Sequence, residues 1–109
     1  MVALFSIAFL KELKKHAAQA EAKTLVKKLA LTSPSDGDFV ALVAHIVIRE
    51  KRLKTFRFYF IVAEDKKHII TKEELKEFII KFVALSKKNN QQQVIDKLKE
   101  DLQRFGFEM

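Results

Sequence analysis

From Asp38 to Glu64 the chain reads DFVALVAHIVIRE, then a charged KRLK, then TFRFYFIVAE. Apolar residues recur at every second position through both arms, and they are mostly β-branched or aromatic. That spacing predicts a long antiparallel hairpin, with KRLK as its turn. One face of the first arm carries Val40, Leu42, Ala44, Ile46 and Ile48, and the second arm offers Phe56, Phe58, Phe60 and Val62. Placing Arg49 opposite Thr55 sets Ala44 against Phe60 and Ile46 against Phe58, small residues against large ones. The other face then carries Phe39, Ala41, Val43, His45, Val47 and Arg49 beside Thr55, Arg57, Tyr59, Ile61 and Ala63.

What flanks this hairpin reads as its cover. In MVALFSIAFLKELKKHAA, helical spacing puts Phe5, Phe9, Leu13 and Ala17 on one side, opposite Lys11, Lys14 and Lys15. The apolar run precedes its lysines, the reverse of a secretory signal, and is too short to span a bilayer. A buried helix is expected, with an interfacial membrane anchor as the sharper alternative. The apolar face then swings round: Ala22, Leu25, Val26 and Leu29 point away from Phe9 and Leu13. A helix must break near Gln19–Glu21, or its second half must meet something else, such as another chain. Thr24–Thr32 could also form a short strand, but its Ala, Lys and Leu favour helix.

Ser33-Pro34-Ser35-Asp36-Gly37 is the clearest break, holding the chain's one Pro and one of its two Gly. Asp36 and Asp38 around Gly37 suit a turn better than a metal. After the hairpin, His68-Ile69-Ile70 has room to form a brief third strand. Thr71 and Glu74 have capping-box spacing, predicting a helix from Lys72 to about Lys88 with Leu75, Phe78, Ile79, Phe82 and Leu85 along its stripe. A last helix is expected over Gln91–Arg104, with Val94, Ile95, Leu98, Leu102 and Phe105 on its apolar face and Gly106 as its stop. The expectation is therefore one α+β domain over residues 1–109: a helical N-terminal region, a long antiparallel hairpin and two C-terminal helices on the sheet. Phe56, Phe58, Phe60, Leu42, Ile46, Phe78 and Phe82 should centre its core.

Charge narrows the partners. The net charge is +7, from 21 Lys and Arg against 14 Asp and Glu. Up to Lys67 there are 13 basic and 7 acidic residues, afterwards 8 and 7, so the excess belongs to the hairpin and what precedes it. Polyanions are the natural partners of such a chain, and nucleic acid is the leading one. Arg49, Lys51, Arg52, Lys54 and Arg57 would hold phosphates beside Tyr59 and His45, which could stack on bases. The runner-up is a protein-interaction or homo-oligomerisation module using the displaced face at Ala22–Leu29. A third reading is a sequence with no evolved ligand.

Chemistry finds little support. With no Cys there is no thiolate and no disulfide, which fits a reducing compartment and an expected cytoplasmic location. His16, His45 and His68 lack metal-binding spacing, no glycine-rich loop cradles phosphate, and the serines have no nucleophile-elbow context. No catalytic residue, metal or cofactor is implied, and no transmembrane segment.

Leu29-Ala30 followed by Asp36-Gly37-Asp38-Phe39 and a hairpin resembles the LAGLIDADG homing endonucleases. Leu31-Thr32-Ser33-Pro34-Ser35 departs from that motif, Pro34 interrupts the helix that should carry the metal carboxylate, and no second hairpin follows. The helix–strands–helix order, with AEDKKHI and a Lys/Phe-rich helix after it, resembles the Alu-RNA-binding subunits of the signal recognition particle over about a third of the chain. Neither resemblance assigns a site residue.

Overall fold

A computed structural model describes residues 2–31, 37–62 and 79–108. Among these residues five strands form one mixed sheet: β1 (Val2–Phe5), β2 (Asp38–Val43), β3 (Ile46–Leu53), β4 (Phe56–Val62) and β5 (Ile79–Lys87). Their order is β1-β5-β4-β3-β2, with β1 parallel to β5 and every other pair antiparallel. Helices α1 (Ile7–Lys15) and α2 (Gln19–Leu31) precede β2, and α3 (Gln91–Phe105) follows β5 through a 3-10 turn at Lys88–Asn90. The α+β class holds, but the sheet is larger than the hairpin expected.

Both sheet faces are covered. Phe58, Phe60 and Val62 of β4, with Ile80, Phe82 and Leu85 of β5, pack against Phe9 and Leu13 of α1 and Ala22, Leu25 and Leu29 of α2. On the opposite face Ile48, Tyr59, Ile61 and Val83 pack against Ile95, Leu98 and Leu102 of α3. The expected Phe-rich core is therefore present, but the N-terminal helices cover it and the last helix covers the other side.

The first ten residues divide into strand and helix. β1 lies beside β5, and the Ser6 amide extends that ladder by donating to Phe82 O at 3.0 Å. Ser6 then caps α1, its Oγ accepting from the Phe9 amide at 3.1 Å. The helix ends in a Schellman motif: Ala18 N–H donates to Leu13 O at 2.9 Å and Ala17 N–H to Lys14 O at 3.3 Å. Ala17 takes the left-handed conformation this requires, φ 50°. The break expected near Gln19–Glu21 thus falls just before α2. It re-aims the swung apolar face onto the sheet, where Leu25 and Leu29 are fully buried. The Ala22–Leu29 surface is spent within the fold and is not an outward docking face.

The hairpin's first arm is two strands, not one. Ala44 and His45 both have positive φ, 50° and 65°, and turn β2 back onto β3. The β3–β4 turn lies at Lys54-Thr55 instead of spanning KRLK, so Arg49 pairs with Phe60, Lys51 with Phe58, Glu50 with Tyr59 and Arg52 with Arg57. That register differs by an odd number of residues from the expected one, which sends alternate side chains to opposite faces. Ile46 and Ile48 lie on the Tyr59 face, and Leu42 is exposed at the sheet edge.

Where a helix was expected to continue to Lys88, residues 79–87 form β5. Ile80 and Phe82 obey period two, and a bulge opposite Tyr59–Phe60 returns Leu85 to the Phe face while Val83 meets α3. His68–Ile70, the Thr71–Glu74 box and Phe78 fall outside the described residues. The last helix stands as expected, and Gly106 ends it at φ 62°, although Phe105 is exposed.

Candidate nucleic-acid interface

At one end of the sheet the β3–β4 turn meets the end of β5 and the 3-10 turn that follows it. Between them lies a depression of about 470 Å³ lined by Arg52, Lys54, Arg57, Lys87 and Lys88, with Thr55, Phe56 and Asn89 and no acidic residue. The Lys87 ammonium sits 5.9 Å from the centroid of the Phe56 ring, and the His16 ring approaches the same phenylalanine at 6.2 Å. Phe56 is half-buried, so one aromatic ring remains accessible among the cations.

The deeper wall is a polar cluster tying α3 to the sheet. Arg57 Nη1 donates to Gln91 Oε1, and Arg57 Nε lies 3.7 Å from Glu50 Oε1. Arg52 Nε approaches the same Glu50 oxygen at 3.3 Å, and Gln91 Nε2 donates to Glu50 Oε2 at 3.4 Å. Tyr59 and Ser86 share a hydrogen bond of 2.9 Å behind them. Burial pushes the Tyr59 phenol above its ordinary value; the Ser86 bond opposes that rise, the Glu50 carboxylate adds to it, and Arg57 and Gln91 pull it back. Because Arg57 is held by Glu50 and Gln91 and is only 8 % exposed, it shapes the depression more than it projects from it.

Of the seven residues expected to form the site, the structure brings three to this depression: Arg52, Lys54 and Arg57. Tyr59 lies behind it, fully buried, and cannot stack on a base. Arg49 and Lys51 point to the other face, alongside Phe60 and Phe58. His45 sits in the β2–β3 turn at the far end of β3, about 25 Å away at strand rise. The supposed binding face of the hairpin is thus divided: Tyr59 and Ile61 lie buried under α3, and Arg49 lies on the opposite face. Lys54 is steadied by Glu21 of α2 at 3.4 Å.

Sequence reasoning misses Lys87, Lys88 and Asn89, because it places the two lysines at the end of an expected helix and Asn89 in the break after it. The signal available was the change from the largely apolar IIKFVALS to the wholly polar KKNN. Neither lysine has a carboxylate partner among the described residues, and both are exposed. Among those residues no group of His, Asp and Glu is placed to hold a metal, and no helix is long and apolar enough to cross a membrane. No family model matches the chain, and comparisons with curated proteins and with solved structures return no match.

Proposed function

We propose that the protein binds nucleic acid, through the basic depression between the β3–β4 turn and the 3-10 turn after β5. One observation carries this reading: five cations converge from the β3–β4 hairpin and from the end of β5 with its 3-10 turn on one concavity that has an aromatic ring on its wall and no acid among its lining residues. Lys87, Lys88 and Arg52 supply exposed charge for backbone phosphates, and Phe56 offers a flat apolar surface against which an unpaired base can lie. Recognition of this kind is largely independent of sequence, because it reads charge and stacking instead of base edges.

The test is anisotropy of a fluorescently labelled single-stranded oligonucleotide, titrated at increasing salt. Affinity should fall steeply with salt, and with three phosphate contacts the log–log slope should be about −2. Lys87→Glu with Lys88→Glu should remove most of the binding while the fold persists. Absence of binding by the parent chain at low ionic strength would end the proposal.

A further inference from the structure

Eight large hydrophobic side chains are exposed among the described residues, and six of them gather around β1: Leu4, Phe5, Ile7, Leu10, Ile79 and Phe105. They flank the strand on both sides. Phe5 stacks on Phe9 and Phe82, the face covered by α1 and α2, and Ile7 (74 % exposed) and Leu10 continue that side along α1. Leu4 points to the other face, where Phe105 at the end of α3 is 54 % exposed. β1 itself is an outer strand of the sheet, paired only with β5 among the described residues. Its sequence, VALF, holds no charge and no proline, and its ladder has no bulge, so it lacks the usual devices that keep sheet edges apart.

We infer that β1 pairs antiparallel with β1 of a second copy, joining two sheets across a two-fold axis. Such an interface uses the same patch twice and must therefore be self-complementary. With Leu4 on the axis, Leu4 faces Leu4, and Ala3 faces Phe5 in both halves, a small residue against a large one on the same side of the sheet. Edge pairing also covers both flanks at once, which a ligand lying on one face cannot do. α1 is carried alongside α1 of the second copy, closing over Ile7 and Leu10, while Leu4 and Phe105 meet their equivalents on the opposite side.

Charge argues against an anionic partner at this edge. The hollow of about 520 Å³ beside Phe5, Ile7 and Phe105 is rimmed by Asp101 and Glu108 against one lysine, Lys81, whose ammonium donates to Phe107 O at 2.9 Å. The other outer strand, β2, also exposes Phe39 and Leu42, but it carries Asp38 and a bulge at Phe39–Ala41.

The chain has no cysteine, so Leu4→Cys introduces a single thiol on the proposed axis. Opposed strand residues come within disulfide reach, and mild oxidation should yield a covalent dimer. Thr24→Cys, exposed on α2, should give none. Sedimentation should find the parent dimeric, Leu4→Lys and Leu4→Glu each monomeric by like-charge opposition, and an equal mixture of the two dimeric again. Ile7→Glu, at the most exposed position, repeats the dissociation should Leu4→Lys fail to fold. A parent chain that is monomeric at every concentration, a dimer that Leu4→Cys does not cross-link, or open-ended assemblies from β1 meeting β2 would each overturn the inference.

Discussion

Arg52 and Arg57 stand directly opposite each other across β3 and β4, and the single carboxylate of Glu50 lies 3.3 Å from one and 3.7 Å from the other. Two like charges at opposed positions would repel without it. The members of this triad are not equal. Arg52 is well exposed at 63 %, so its ion pair contributes little, whereas the Arg57 and Glu50 side chains are 10 % and 7 % exposed. Glu50→Ala should therefore cost about 3 kcal/mol in urea denaturation, since it strands a buried guanidinium. Arg52→Ala should cost less than about 1 kcal/mol. Equal losses from the two variants would show that the cluster does not fasten α3 to the sheet.

Binding and folding should come apart along the same line. Lys87 and Lys88 are exposed, so replacing them should move stability by no more than about 0.5 kcal/mol. Each lost phosphate contact should reduce the salt slope for single strands by about 0.7. Arg57→Ala should do the reverse, lowering the urea midpoint, because that side chain lies between Glu50 and Gln91. A double variant at Arg57 and Tyr59 would consequently report on unfolding, not on recognition.

The raised Tyr59 phenol has a consequence at alkaline pH. Its folded-state pKa lies above the ordinary 10.0, chiefly through burial, so the folded chain holds this proton more tightly than the unfolded one. The associated stability is complete below pH 10 and drains away as pH rises through the folded value. Tyr59→Phe should flatten the fall in stability above pH 10 relative to the parent. At neutral pH it should cost about 1–2 kcal/mol, because Ser86, buried at 2 % exposure, loses its partner. An unchanged alkaline slope in the phenylalanine variant, measured by chemical denaturation across pH, would contradict this.

The apolar alternation of β4 and the apolar face of α3 were legible because burial imposes a period, and Phe58, Phe60, Ile95, Leu98 and Leu102 all lie where that period puts them. Register and chain reversal were not legible, because this chain turns without the residues that announce turns. Ala17 ends α1 in a left-handed conformation that glycine adopts more easily. Lys54 does the same before β4, at φ 56°. With no marker at these places, the apolar pattern alone puts the break between α1 and α2 a few residues too late and the turn at Lys54-Thr55 two to three residues too early. The site suffered most: the odd register shift carries Arg49 through the sheet and draws Lys51 out of the expected turn into β3, and a strand mistaken for a helix hides Lys87 and Lys88. The bulge in β5 compounds this, since it breaks the alternation that would have identified the strand.

The same reasoning yields a stabilising change at Ala17. A left-handed conformation costs an alanine about 1–2 kcal/mol, and glycine gives back about 0.5–1 kcal/mol in unfolded-state entropy. Ala17→Gly should therefore gain about 0.5 kcal/mol, and Ala17→Val should lose stability, both read from urea midpoints. A loss on Ala17→Gly would mean that the Schellman closure between Leu13 and Ala18 is not what ends the helix.

The turn between β2 and β3 offers the sharper test of the fold. Ala44 and His45 both lie at positive φ, the pattern of a type I′ hairpin turn, in which Asn-Gly is the favoured pair. Ala44→Asn with His45→Gly should relieve two strained positions and stabilise the chain by about 1–2 kcal/mol, with slower amide exchange along Ile46–Val47. The outcome is opposite if residues 39–50 form one continuous arm, because Asn-Gly in mid-strand removes β-branched packing and adds backbone entropy. Stabilisation by this pair therefore requires β2 and β3 to be separate strands. That separation in turn leaves β2 at one end of the order of described strands, with β1 at the other.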